Sequence, residues 1–260
     1  MKRLALFGAT GRMGQAVVRT LEGSTAMALS GATASAGSTQ LGQPVAAAAA
    51  VRYGADPGAA LTGASVALDF SRAEAVPANL AACVAAGVPL VIAVTGLDSP
   101  AHAAIDAAAR QIPVLHAANT SLGVAVMSRL AALAAASLAG FEIEISEAHH
   151  RMKRDAPSGT ALKLGEAVAA ARGRTLGEVA VYARHGTSEP RRPDQVGFSV
   201  VRAGDIVGTH TVLYAGADET LEITHRANDR SCFARGALAA ANWLAGRPAG
   251  LYRMEDVLGF

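Results

Sequence analysis

The stretch Glu147–Ala161, EAHHRMKRDAPSGTA, concentrates groups that can do chemistry. His149, His150, Arg151, Lys153 and Arg154 fall within six residues. Asp155, Pro157 and a Ser-Gly-Thr step follow, and then an Ala/Leu-rich run. Clustered cations beside a helix N-terminus suit a small molecule that carries several negative charges. If Ala148–Lys153 is helical or tightly turned, His149 and Lys153 share one face. Histidine titrates near neutrality, so it can donate a proton at working pH. A neighbouring lysine lowers the pKa of that histidine by like-charge repulsion, and a bound anion raises it again. His149 is therefore the candidate proton donor and Lys153 the cation that converges with it. Ser158 is read as the N-cap of the following helix, Ala161–Ala171, and as a candidate substrate-binding residue. Gly159 and Thr160 would offer N–H groups and a hydroxyl as a seat for a carboxylate. Pro157 fixes the entry to that helix, and Asp155 orients Lys153 or caps the turn.

A second candidate site lies at the start of the chain. Gly8-Ala9-Thr10-Gly11-Arg12-Met13-Gly14 is a GxxGxxG variant between a predicted strand and a predicted helix. Glycines there permit a tight turn and let backbone N–H groups approach a pyrophosphate. NAD-type sites usually carry an acidic residue at the end of the second strand. Here that stretch is Thr33-Ala34-Ser35-Ala36-Gly37-Ser38, without an acid. A carboxylate would repel a 2′-phosphate, so its absence admits NADPH, with use of NADH also allowed. Arg12, Ser35 and Ser38 are the candidate phosphate contacts. Two later strand ends should also face the cofactor: Ala93-Val94-Thr95-Gly96 and Ala117-Ala118-Asn119-Thr120. Thr95, Asn119 and the backbone around them are placed to bond a nicotinamide carboxamide. Asp69-Phe70-Ser71-Arg72 ends a further strand of the same series.

The elements that must position these residues follow from the apolar pattern. Arg3–Phe7, Met27–Thr33, Val66–Phe70, Pro89–Val94 and Pro113–Ala117 read as apolar strands. Helical stretches alternate with them: Gly11–Leu21, a run ending at Ala86, Ser99–Arg110 and Ser121–Leu138. Repeated β-α units with continuously apolar strands predict a parallel sheet covered on both faces. Near residue 140 the pattern changes. Phe141–Ser146 alternates apolar and acidic residues, so Glu142 and Glu144 are expected to face solvent. Val196–Arg202 and Ile206–Tyr214, joined by Ala203-Gly204-Asp205, read as a hairpin, with Thr220–His225 as a further strand. Arg184–Gln195 is polar and proline-broken, hence a loop. The prediction is an α/β fold: a Rossmann-like parallel-sheet domain over 1–118, and an α+β domain with a mixed or antiparallel sheet over 119–230. Residues 231–260, with a helix at Cys232–Leu244, are expected to return to the first domain.

Bulk composition narrows the class. The chain has 260 residues, 51% hydrophobic and 17% charged, which suits a substantial core and excludes disorder. Net charge is +2, and no basic stripe is interleaved with aromatics, so no nucleic-acid partner is expected. Alanine tracts at 46–51 and 103–110 read as helix filler or compositional bias. Cys83 and Cys232 sit in no CxxC or Cys/His spacing, so neither a disulfide framework nor a metal site is expected. Reduced thiols suit the cytoplasm. No apolar run approaches the roughly 18 residues of a membrane span. His116, His185, His210 and His225 are scattered and read as structural.

The motifs GATGRMG at 8–14, DFSR at 69–72, EAHHRMKRDAPSGTA at 147–161, VRAGDIVGTHT at 201–211 and LEITHRA at 221–227 carry a resemblance that spans nearly the whole chain. With them the chain resembles the bacterial dihydrodipicolinate reductase family, the 4-hydroxy-tetrahydrodipicolinate reductases of the lysine and diaminopimelate pathway. The resemblance implies hydride transfer from NADPH or NADH to a cyclic dicarboxylate, and a second domain that binds substrate and builds a homotetramer. It implies that His149 is the proton donor/acceptor and Lys153 a second donor, with His150, Gly159 and Thr160 on the substrate carboxylates. Members that use NADH well often carry an acidic residue at the position of Ala34, commonly with a basic one at Ser35. The family's Gly-Thr-Thr-Gly is Ala93-Val94-Thr95-Gly96 here, and its usual aromatic after the Ala-Asn pair is Thr120. Two other readings stay open at this stage: a nucleotide-binding sensor without turnover, and a reductase of another imine or semialdehyde. The two motif regions lie in different predicted domains, so closure is expected to bring the reacting atoms to about 3–3.5 Å.

Overall fold

The structure is a computed structural model that describes all residues except Ala47 and Ser188. Ala47, in the first alanine tract, and Ser188, in the polar loop, therefore lie outside the described residues. The chain divides into two compact units, Met1–Leu122 with Arg230–Phe260, and Gly123–Asp229.

In the first unit, β1 (Lys2–Phe7) leads into α1 (Arg12–Leu21), and β2 (Met27–Thr33) follows. A short excursion comes next: β3 (Pro44–Val45), β4 (Ala48–Gly54) and α2 (Pro57–Ala60). The β-α alternation resumes with β5 (Val66–Asp69), α3 (Val76–Ala86), β6 (Leu90–Ile92), α4 (Ser99–Ala109) and β7 (Pro113–His116). With α5 (Leu122–Ser137) the chain enters the second unit.

Every residue of β5 and β6 is buried, as expected of strands covered on both faces. The sheet runs β7-β6-β5-β1-β2-β4 with parallel pairing throughout; β3 adds antiparallel to β4 at one edge. All carboxyl ends of the parallel strands therefore emerge along one edge. The helices begin and stop for local reasons. Asp98 caps α4 by accepting from Ala101 N at 2.9 Å, and α3 ends at Gly87, whose φ of 63° is the left-handed conformation glycine tolerates.

The helix-filler reading of the first alanine tract does not hold. The alanines at 48–50 belong to strand β4, not to a helix. Alanine favours helices locally, but the pairing of β4 with β2 and β3 overrides that preference.

The second unit continues with β8 (Glu142–His149), α6 (Gly159–Ala171), α7 (Leu176–Val179) and β9 (Ala180–Val181). It ends with β10 (Val196–Arg202), β11 (Gly208–Ala215) and β12 (Thr220–Ala227). Its mixed sheet runs β12-β11-β8-β10-β9. Ile143, Ile145, Val196, Phe198, Val212 and Tyr214 pack with Met127 and Ala131 of α5 and Leu164 and Val168 of α6. The Tyr214 hydroxyl donates to Ala131 O at 2.6 Å, which satisfies its one polar atom in that core.

β10 and β11 do not form the expected hairpin. β8 lies between them, parallel to β10 and antiparallel to β11. The reason is where the Ala203-Gly204 turn makes its hydrogen bonds. Ala203 N donates to His149 O at 3.0 Å, and Arg151 N donates to Gly204 O at 3.1 Å. The chain thus steps over the end of β8 and descends on its far side. The hairpin of this sheet is β11–β12.

After Asp229 the chain rejoins the first unit with α8 (Ser231–Leu244), β13 (Gly250–Tyr252) and α9 (Met254–Leu258). The parallel strand β13 extends the first sheet beyond β7. Lys2 Nζ donates to the carbonyls of Asn242 and Ala245 near the end of α8. The Thr120 hydroxyl donates to Phe233 O at 2.8 Å. Gly236 allows this approach, since a Cβ there would fall 1.8 Å from Thr120 O. Among the described residues no helix is long and apolar enough to cross a membrane.

Candidate active site

The glycine loop of the first unit is shaped by contacts that exclude side chains. Gly8 has φ +72°, and a Cβ on it would lie 2.7 Å from Phe70 O. A Cβ on Gly14 would lie 2.4 Å from Gly8 O, so the helix start sits directly on the loop. Ala9 N donates to Thr33 O at 2.8 Å, and Gln15 holds Ala9 O at 2.9 Å, which ties the loop to the end of β2. Gly11 stands at the N-cap of α1 and supplies no capping side chain. The first-turn N–H groups of α1 therefore face an outside acceptor, and the loop fits a dinucleotide pyrophosphate.

The other candidate cofactor residues lie along the same carboxyl edge. Gly8–Gly11 follow β1, with Arg12 and Met13 in the first turn of α1; Ser35 follows β2, Ala93–Thr95 follow β6 and Ala117–Thr120 follow β7. Arg12, Ser35 and Thr95 are exposed, whereas Ala9, Val94 and Ala117 are buried. Ser38 is half-buried, and its hydroxyl accepts from Gln40 N at 3.2 Å. The side chain of Thr120 faces inward, where it tethers α8. Asp69, expected only as part of a strand end, is fully buried; it accepts from Ser71 N at 2.8 Å and Asn79 Nδ2 at 2.9 Å. It thereby fixes the turn after β5. Burial raises its pKa against those bonds.

In the second unit, β8 runs three residues past the predicted end at Ser146. Its alternation places Glu147 and His149 on the same buried face as Ile143 and Ile145. The Glu147 carboxylate accepts four hydrogen bonds from three residues. Oε2 accepts from His149 Nδ1 at 2.6 Å and from the Arg202 guanidinium at 2.7 Å. Oε1 accepts from Arg202 at 2.7 Å and from Ser158 N at 2.9 Å. Burial pushes Glu147 up, but the bonds from Arg202, His149 and Ser158 outweigh it and hold the carboxyl below its usual range. Burial pushes His149 down; Glu147 pulls the other way, and the charges of Lys153 and Arg202 add to the lowering.

β11 supplies a second imidazole. The His210 and His149 rings meet edge to face at 5.1 Å, and His210 Nε2 lies 3.0 Å from Ser158 Oγ. Burial, with the charge of His149, pushes His210 down to about 4. Gly208 opens the space beside the catalytic candidate, since a Cβ there would sit 3.1 Å from His149 Nε2. We expect Gly208→Ala to crowd that nitrogen and lower kcat about tenfold with dinucleotide affinity unchanged. Wild-type kcat in that variant would mean that the space is not used.

The segment after β8 is a turn, in which Lys153 N donates to His150 O at 3.0 Å. His149 is thus the last residue of a strand, and the helical i, i+4 arrangement with Lys153 does not form. Lys153 Nζ pairs with Asp155 at 2.8 Å, and that bond and charge hold Asp155 low despite its partial burial. Ser158 caps α6, accepting from Ala161 N at 3.2 Å. Ser158 is buried, with its polar groups bonded inside the protein. Gly159 is exposed at the start of α6, while His150 and Thr160 are half-buried. Sequence reasoning missed Glu147, Arg202, Gly208 and His210. The signal for Glu147 was available: the i, i+2 alternation of Ile143 and Ile145 continues through 147 and 149.

Comparison with known proteins places both units. The family model for the dihydrodipicolinate reductase N-terminus matches residues 2–120, and that for its C-terminus matches residues 123–258. The chain is 49% identical to a 4-hydroxy-tetrahydrodipicolinate reductase of Thiobacillus denitrificans, over 99% of this chain and 98% of that protein. It is 46% identical to one from Anaeromyxobacter dehalogenans, over 100% of this chain and 98% of the relative. Among solved structures, dipicolinate-bound dihydrodipicolinate reductase from Paenisporosarcina sp. TG-14 is similar with TM-score 0.79, at 24% identity over 97% of both chains. An amine dehydrogenase from Mycobacterium smegmatis is similar with TM-score 0.61, at 14% identity, over 98% of this chain and 95% of that one. At these identities the structural likenesses speak to the fold.

Proposed function

This chain belongs to the dihydrodipicolinate reductase family and is an NAD(P)H-dependent oxidoreductase; we propose that it reduces 4-hydroxy-tetrahydrodipicolinate with His149 as proton donor and Lys153 as its cationic partner. The observation that carries the reading is the His149 ring at the end of β8, tied through Nδ1 to Glu147 and open beside Nε2 at Gly208.

The bound dihydronicotinamide supplies the hydride. The residues that would hold it are Gly8–Met13, Ser35, Ala93–Thr95 and the Ala117–Asn119 segment, with NADPH and NADH both accepted. The substrate is a cyclic dicarboxylate, as in the dipicolinate complex of the Paenisporosarcina relative. Lys153, His150 and the start of α6 at Gly159 and Thr160 draw its carboxylates, which take the place of the Asp155 carboxylate held there by Lys153 and the Gly159 N–H.

Loss of the 4-hydroxyl as water leaves a conjugated ring imine. Hydride addition places electron density on that ring, and a proton from His149 Nε2 quenches it. One hydride and one proton are taken up and one water leaves, so the reaction balances. Ser158 acts from inside by capping α6 and steadying Glu147 and His210. We further propose that the enzyme works in the cytoplasm as a homotetramer; the exposed Val201, on the sheet face opposite Ile143 and Ile145, supports that face as the assembly surface.

Calorimetry with pyridine-2,6-dicarboxylate in two buffers of different ionisation enthalpy tests this reading. A dianion beside a resting neutral His149 raises the pKa of the ring, so binding near neutral pH should take up a proton. That uptake should vanish in His149→Ala. Binding without proton uptake in the wild type would overturn His149 as the group poised beside the substrate.

A further inference from the structure

We propose that Glu147 is a positioning residue for this reaction: backed by Arg202, it fixes the His149 ring with a proton on Nδ1 and reserves Nε2 for exchange with substrate. The inference rests on the reading of His149 as the proton donor.

The geometry leaves one tautomer. An ionised carboxylate only accepts hydrogen bonds and has about four lone-pair directions. His149, Ser158 and the two Arg202 nitrogens fill them at 2.6–2.9 Å. The nitrogen facing Glu147 must therefore carry hydrogen. In a neutral imidazole the other nitrogen, Nε2, then holds a lone pair. That nitrogen faces the space that Gly208 keeps open.

Arg202 has a second consequence. Alone, a buried carboxylate would hold His149 permanently as imidazolium, too stable to give its proton away. The guanidinium balances Glu147, and Arg202 is itself anchored by donating to Asp155 O at 2.6 Å. The groups that face His149 are Glu147 on β8, Arg202 on β10, His210 on β11 and Lys153 in the turn. Their sum leaves a neutral ring at rest. A dicarboxylate adds negative charge, Nε2 takes one proton from solvent, and that proton passes to the reduced ring. His149 returns to its neutral form, so no proton is gained or lost by the protein over the cycle.

The test is Glu147→Gln, read by kcat, its pH profile and dinucleotide affinity. Without the carboxylate the imidazolium of the complex is less stable. The basic limb of the kcat profile should move to lower pH, and kcat should fall about a hundredfold. Dinucleotide affinity should stay at the wild-type value.

Glu147→Gln leaves Arg202 unbalanced, so the double variant Glu147→Gln/Arg202→Gln, which removes both charges, guards against misfolding. It should fold and keep the lowered kcat, with the limb displaced less than in Glu147→Gln because the opposing charge of Arg202 is gone as well. Nitrogen-15 spectra of histidine-labelled wild-type enzyme should show His149 protonated at Nδ1 and bare at Nε2. A wild-type kcat and pH profile in either folded variant, or a proton on Nε2 in the free wild type, would overturn the proposal. Full activity in His149→Ala would instead remove the underlying reading.

Discussion

Replacing His149 with alanine should lower kcat by about 10²–10⁴, the range a positioned general acid contributes. Dinucleotide affinity, read by quenching or enhancement of dihydronicotinamide fluorescence, should not change. The reason is placement: His149 ends a strand of the second unit, whereas the glycine loop, the ends of β6 and β7 and α1 all belong to the first. Stability should change little, because the ring contacts mainly Glu147 and His210 and its removal leaves Glu147 paired with Arg202. A loss of dinucleotide affinity equal to the loss of kcat would mean that the variant damages the fold rather than the proton transfer.

The second large effect concerns Arg202. Arg202→Met keeps the aliphatic stem but strands the Glu147 carboxylate, which is 3% exposed, with its main counter-charge gone. Breaking a buried ion pair from one side costs about 3–5 kcal/mol. The sign with pH follows from the carboxyl. In the wild type its folded pKa lies below the ordinary value of 4.5, so its contribution is complete above that pH and is lost in acid. In the variant, burial wins and the folded pKa rises above the unfolded one. The penalty is then full near neutrality and relaxes as the pH falls and the carboxyl takes a proton. Urea unfolding near pH 7 and near pH 4 should give a large difference from wild type at the first and a smaller one at the second. An equal difference at both would point to lost packing of the arginine stem.

The parts of the fold legible in the sequence are those decided locally. Met27–Thr33 and Val196–Arg202 have the strand bounds their apolar runs predict, and Ser158 caps a helix as its position before Gly159 suggests. The alanines of β4 carry no strand signal of their own, because pairing at the sheet edge makes that strand. The hairpin between β10 and β11 failed for the same kind of reason: the partner of the Ala203-Gly204 turn lies fifty residues earlier, at the end of β8. That crossover places Arg202 on one side of Glu147 and Gly208 and His210 on the other. The cation cluster was legible because its chemistry is contiguous in sequence. Its anionic support was not, because a buried glutamate next to charged residues reads as a strand end.

Hydride delivery to the cyclic substrate is the central step. The decisive measurement is the initial rate of dihydronicotinamide oxidation, with substrate formed in place from pyruvate and aspartate semialdehyde, using NADPH and NADH in parallel. Turnover should require both precursors, proceed with either cofactor and fall by about 10²–10⁴ in His149→Ala. Absence of oxidation with both cofactors, in protein that binds them, would contradict hydride delivery to that substrate.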